Sequence, residues 1–186
     1  MIYGFLSDVH GNLQALEQVL NQLQVADRII CLGDIAGGRQ VSECLARLRD
    51  FPCVLGNHDS WEFELQGLSE ADCDFFKKLP LEYREADFLA VHSDYLVDPL
   101  RFPYIYSASE AARAFAHFPE GRVFFGHTHL QQLHWLTPEG ELGFAKAGTQ
   151  AIPLRADWRY LINVGEVSQG GLLYNIQEQW VQYLQL

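Results

Sequence analysis

The residues of this chain whose types could do chemistry fall into five short clusters. These are Ser7-Asp8-Val9-His10-Gly11-Asn12, Gly33-Asp34, Gly56-Asn57-His58-Asp59, His92, and Gly126-His127-Thr128-His129. Five of the seven histidines lie in them, so the imidazoles are concentrated where Asp8, Asp34 and Asn57 also sit. Imidazole, carboxylate and amide oxygen without thiolate suit Mn, Fe, Zn or Ni, and the amide oxygen favours the harder members. A structural zinc site would more often use cysteines and close at four ligands.

His127 and His129 are two residues apart. On an extended chain they would point to one side, about 6.6 Å apart at roughly 3.3 Å per residue. That spacing lets each imidazole address a different ion of a pair about 3.5–4 Å apart. Two metals are therefore expected. Gly33, Gly56 and Gly126 would let the backbone turn and approach them closely.

Each cluster follows an apolar segment that must position it. Ile2–Leu6, Arg28–Leu32 and Cys53–Leu55 read as strands. They alternate with helices over Leu13–Leu23, where the apolar residues repeat every three or four positions, and over Val41–Leu48. That order implies a parallel α/β sheet. Further along, strands are expected around Leu81–Arg84, Phe88–His92 and Val123–Phe125, with a helix near Ser109–Phe118. Two hairpins are expected as well, Gln132–Leu136 with Leu142–Lys146 and Leu172–Ile176 with Trp180–Leu184. In a parallel sheet ligands bind beyond the carboxyl ends of the strands, so the five clusters should converge on one crevice.

At 186 residues the chain is read as a single domain, residues 1–186. It has no apolar run approaching a membrane span and no signal-peptide pattern, which leads to the expectation of a soluble, cytoplasmic protein. Cys31 and Cys53 sit in apolar runs, and the four cysteines form no C-x-x-C, so reduced core thiols are expected. A formal net charge of −11 repels polyanions, which argues against a protein that grips long nucleic acid. A small anionic substrate at a locally positive site remains compatible with it.

The order D-x-H, G-D, G-N-H-D, H, G-H-T-H from Asp8 to His129 resembles the calcineurin-like metallophosphoesterase superfamily, and within it the small bacterial and archaeal phosphodiesterase-like branch. The resemblance implies an α/β fold, a two-sheet β-sandwich flanked by helices, with a binuclear site at one end. It implies two divalent ions, manganese first and iron, zinc or nickel as alternatives. Asp8, His10, Asp34 and His129 would hold one, and Asp34, Asn57, His92 and His127 the other. Asp34 would bridge them, and a bridging hydroxide would be the nucleophile. His58, beside a ligand but not itself one, would hold the phosphate and assist the leaving group, with Asp59 the nearest carboxylate in sequence to orient it.

The segment from Asp98 to Tyr106 looks like one that lies over the active-site mouth in that branch, where Phe102, Tyr104 and Tyr106 could stack on a substrate or pack in the core. Gly33-Asp34-Ile35-Ala36-Gly37-Gly38-Arg39 lacks the second aspartate of the protein-phosphatase motif G-D-x-x-D-R-G. Asn163-Val164-Gly165-Glu166 stands where the branch often has N-P-G-S, and Glu166 would bring negative charge near the mouth. The expected function is metal-dependent hydrolysis of a phosphoric ester, foremost a small or nucleotide-like diester. The alternatives are a phosphomonoesterase or protein phosphatase of the same fold, or a non-catalytic scaffold such as the retromer subunit that shares it.

Overall fold

The computed structural model describes residues 1–98 and 102–186. Its elements run β1 (Ile2–Leu6), α1 (Leu13–Gln22), β2 (Arg28–Cys31), α2 (Val41–Leu48), α3 (Glu70–Phe76), β3 (Glu82–Arg84), β4 (Leu89–Val91) and α4 (Ala108–His117). The remaining third is β5 (Arg122–Phe125), β6 (Gln131–Leu136), β7 (Leu142–Lys146), β8 (Ile152–Pro153), β9 (Arg159–Val164), β10 (Leu172–Asn175) and β11 (Trp180–Tyr183).

The strands form two mixed sheets, one ordered β2-β1-β10-β11-β8 and the other β3-β4-β5-β9-β6-β7. β1, β4, β5 and β9 are buried along nearly their whole length because both of their faces are covered, whereas β7 at the sheet edge alternates exposed and half-buried residues. Phe5 of β1 points between the sheets and stacks on Phe124 of β5, with ring centroids 4.1 Å apart. Phe88 meets both edge-on at 5.4 Å. The neighbours of Phe5 and Phe124 in sequence face outward. Leu6 and Cys31 pack with Leu16 and Val19 of α1 and Leu45 of α2, and Val123 and Phe125 pack with Ala111, Ala114 and Phe115 of α4. The result is the helix–sheet–sheet–helix arrangement that the family resemblance implied. Burying each such phenylalanine stabilises the fold by about 1.5–3 kcal/mol.

The helix starts are written locally. Asn12 accepts from the Ala15 N–H at 3.1 Å, and Ser107 with Glu110 closes a capping box at α4. Both expected hairpins are present, and Cys31, Cys44 and Cys53 are buried free thiols.

The purely parallel sheet is not what forms. Cys53–Leu55 makes only a single bridge, Cys31 to Cys53, because Pro52 and Gly56 bracket a run too short to extend the ladder. The parallel pair β1–β2 is continued instead by antiparallel β10, β11 and β8. The parallel strands β4, β5 and β9 form the middle of the second sheet. The sequence reading did not include β8 or β9, although Tyr160-Leu161-Ile162-Asn163-Val164 carries a strand signal.

Candidate metal centre

All the candidate residues arrive at one edge of the sandwich, beyond the carboxyl ends of β1, β2, β4 and β5. The loops that carry them are tied together by backbone hydrogen bonds. The N–H groups of Val9 and His10 both donate to Asp34 O, at 2.8 and 3.0 Å, and Gly126 N–H donates to His92 O at 3.0 Å. Asp8, His10, Asp34, His127 and His129 all have positive φ, between 46° and 68°. Non-glycine residues in that region carry backbone strain, which persists only where the surroundings hold it. His127 and His129 are therefore not alternate residues of an extended chain, as the spacing argument supposed. They reach the same crevice by two left-handed turns.

Close approach explains two of the glycines. A Cβ on Gly126 would lie 2.0 Å from Ser7 Oγ and 2.5 Å from Asp8 Oδ2. A Cβ on Gly56 would lie 2.1 Å from Asp34 Oδ1.

The side chains form three tight groups, Asp8 with His10 and His129, His10 with Asp34 and His58, and Asp34 with His92 and His127, each with ligand atoms within 4.8 Å of one another. Asp34 belongs to two groups, and so does His10. His129 Nε2 lies 3.3 Å from Asp8 Oδ1 and 3.2 Å from His10 Nε2. His92 Nε2 lies 3.1 Å from Asn57 Oδ1, 3.2 Å from His127 Nδ1 and 3.4 Å from Asp34 Oδ2.

The outer nitrogens of three imidazoles are taken by oxygens. His92 Nδ1 donates to Leu32 O at 2.8 Å and His10 Nδ1 to Ala36 O at 3.1 Å. His129 Nδ1 lies 3.3 Å from Glu166 Oε2, so Glu166 does bring its charge to the site. An oxygen on Nδ1 selects the tautomer whose Nε2 lone pair is free, the usual second shell of a metal-binding histidine. Facing lone pairs of paired imidazoles and carboxylates repel one another unless a cation or proton lies between them. The donor set thus fits divalent metals.

Without a metal that role passes to a proton. Burial alone would lower the His92 pKa, but the Asp34 carboxylate overcomes it and holds the imidazole at about 9. Burial and the charge on His92 push His127 down to about 4. Burial works to raise the Asp34 carboxyl, yet His92, His58 and His10 together hold it well below the usual carboxylate range.

His58 lines the open cavity of about 280 Å³ together with Asp34, Asn57, Trp61, Tyr104 and His129. Its Nδ1 contacts Glu64 Oε1 at 3.2 Å, and its ring packs on Trp61 at 4.4 Å. Glu64, not Asp59, is therefore the carboxylate that orients it. Asp59 is buried and turned away, accepting the N–H groups of Asp34, Ile35 and Ala36, each at 2.8 Å, and of Gly56 at 3.0 Å. It staples the Gly33–Ala36 loop to Gly56. Glu64 lies in a stretch without periodicity, and no sequence signal singled it out.

Asn163 frames the histidine loop, donating to Gly126 O at 2.9 Å and Thr128 Oγ1 at 2.6 Å. Phe102 is fully buried and packs edge-on against His92 at 5.4 Å. Tyr104 is 56% exposed and stacks on His127 at 4.4 Å. Of the expected mouth segment, Phe102 is thus core, Tyr104 and Tyr106 are open to solvent, and residues 99–101 lie outside the described residues. No helix among the described residues is long and apolar enough to cross a membrane.

The model of the calcineurin-like phosphoesterase superfamily domain matches residues 1–170. An uncharacterised protein of Methanocaldococcus jannaschii is 30% identical over 196 residues, covering 88% of this chain and 75% of the relative. The crystal structure of a metallophosphoesterase from Sphaerobacter thermophilus superposes with a TM-score of 0.84 at 27% identity, over 100% of this chain and 88% of that one. The structure of an archaeal phosphodiesterase has the same fold, with a TM-score of 0.56 at 14% identity over 100% of both chains. The chain belongs to the calcineurin-like phosphoesterase superfamily.

Proposed function

We propose that residues 1–186 form one catalytic unit, a binuclear metal-dependent hydrolase of phosphoric esters that acts foremost on small diesters. The observation that carries this reading is the pair of donor groups, Asp8-His10-His129 and Asp34-His92-His127, with Asp34 also beside His10. One ion would be held by Asp8, His10, Asp34 and His129, and the other by Asp34, Asn57, His92 and His127. Divalent ions there, manganese first, would bring the pKa of a water toward about 7 and offset charge on the phosphoryl oxygens.

The chain's own residues do the rest. Leu32 O, Ala36 O and Glu166 fix which imidazole nitrogens face inward. Glu64 holds the His58 ring by Nδ1, which leaves Nε2 as the nitrogen free for substrate. His58 then hydrogen-bonds the phosphate and gives a proton to the departing oxygen, the role of a positioned general acid. Trp61 and Tyr104 border the opening, and their apolar faces limit water around the reacting group.

The test is hydrolysis of a generic diester and the matching monoester by metal-loaded protein, alongside elemental analysis of bound metal. Two ions per chain and Mn²⁺-dependent turnover of the diester are expected. Asp34→Asn should weaken both sites, and His129→Ala mainly one. Ions bound at saturation with no turnover of either ester would refute the enzyme reading and leave a scaffold.

A further inference from the structure

Each sheet of the sandwich has two edges, and among the described residues three of the four are closed. Residues 53–55 lie along β2, with Cys31 N–H donating to Pro52 O at 2.9 Å and Val54 N–H to Cys31 O at 3.0 Å. β8 is two residues long and ends in Pro153, which has no N–H to offer. β3 is three residues long and carries Glu82 and Arg84, whose side chains pair at 2.7 Å. Charge, proline and shortness are the usual ways an edge is kept from pairing with another chain. β7 is five residues long, without proline, and its one charge is Lys146 at the end. It closes the second sheet with Leu142 and Phe144 41% and 46% exposed.

The hydrogen-bond pattern fixes which groups of β7 are left over. Glu141 O accepts from Thr137 N–H at 3.0 Å, and Ala147 N–H donates to Gln131 O at 3.1 Å, so residues 141 and 147 bond toward β6. Ala145 lies opposite Leu133 and Gly143 opposite Trp135, and the alternation of an antiparallel ladder turns their backbone groups toward β6 too. The N–H and C=O groups of Leu142, Phe144 and Lys146 therefore point off the sheet. Their side chains share its outer face, beside the start of α4.

We propose that β7 pairs with β7 of a second copy of this chain, antiparallel about a twofold axis at Phe144. That register sets Phe144 opposite the partner's Phe144 and Leu142 opposite the partner's Lys146. Every N–H and C=O left off the edge then gains a partner within the two strands, and the contact is isologous, as a patch that binds itself must be. The charges agree with the same register. Lys146 is exposed and has no ion pair among the described residues, and neither have Glu139 and Glu141 of the hairpin turn. The pairing lays each Lys146 beside the acidic turn of the partner, in a chain whose net charge of −11 otherwise keeps copies apart. A strand of unrelated sequence would satisfy the backbone but would leave this match unused.

The paired strands are a small contact beside a standard interface of about 1,600 Å². A dissociation constant in the micromolar range is expected, which sedimentation velocity between about 1 and 100 µM spans. Over that range the wild-type species should pass from the 21.2 kDa of one chain to twice that mass. Phe144→Glu, which sets two carboxylates face to face, should raise the dissociation constant by about tenfold or more. Leu142→Lys should also weaken the dimer, because it faces the partner's Lys146, and adding Lys146→Glu to it should restore association. Positions 142 and 146 are about 13 Å apart along one strand at roughly 3.3 Å per residue. They are too distant to pair within one copy, so the rescue reports the register between copies. Leu142, Phe144 and Lys146 are all exposed, so the variants keep the fold, which circular dichroism checks. Wild-type protein that stays monomeric at about 100 µM overturns the proposal, whether or not a strand of another protein adds to the edge. So does a dimer that survives Phe144→Glu, which would use another surface, and so does a double variant that associates no more tightly than Leu142→Lys.

Discussion

Removing the Asp34 charge should change the protonation of His92 and, with it, the pH dependence of metal uptake. His92 is fully buried and its Nε2 lies 3.4 Å from Asp34 Oδ2. Burial alone would drive its pKa below the ordinary 6.5, and the carboxylate lifts it instead to about 9. At about 1.4 kcal/mol per unit, that rise is worth about 3 kcal/mol in favour of the imidazolium. The folded pKa is above the unfolded one, so in the metal-free protein this stabilisation is complete below pH 6.5 and is lost as pH rises through 9. A metal needs the neutral ring, which is about 1% of the population at pH 7. Apparent affinity at pH 7 should therefore be about a hundredfold below its limit and rise about tenfold per pH unit. Imidazole NMR of metal-free protein should show His92 titrating near 9, and Asp34→Asn should bring its midpoint to 6.5 or lower. A wild-type midpoint below 7, or one that Asp34→Asn leaves unchanged, would refute the electrostatic account.

Three further outcomes concern the loops. His58→Ala should lower turnover by about 10²–10⁴-fold, more for an alkoxide than for a nitrophenolate leaving group. Glu64→Gln should cost less, on the order of tenfold, with the same leaving-group bias and unchanged metal content. An equal loss across leaving groups would reduce His58 to phosphate holding. Gly126→Ala should destabilise the fold by about 1–3 kcal/mol in urea unfolding, because the new methyl falls on Ser7 and Asp8. A variant within a few tenths of wild type would show that the two loops part freely.

The sequence by itself determined what each segment is and where the polar residues fall along it. Apolar runs became strands, three- and four-residue spacing became α1 and α2, and Ser107 with Glu110 wrote its own cap, because dihedral preference and burial period act over a few residues. The candidate ligands were legible for the same reason, since each follows directly on a strand or strand-like run. Beyond the two hairpins, which strands pair was decided by the tertiary structure. β9 lies between β5 and β6, and no local pattern can choose a partner because every inward apolar face looks alike to every other. The left-handed turns at His127 and His129 are likewise set by the loops around them, since neither residue type demands positive φ. The second layer of the site was decided last, with Glu64 on His58, Glu166 on His129 and Asn163 on the Gly126 loop. Such contacts join residues 6 and 37 positions apart, and their distances exist only once both sheets have packed and brought separate loops to one edge.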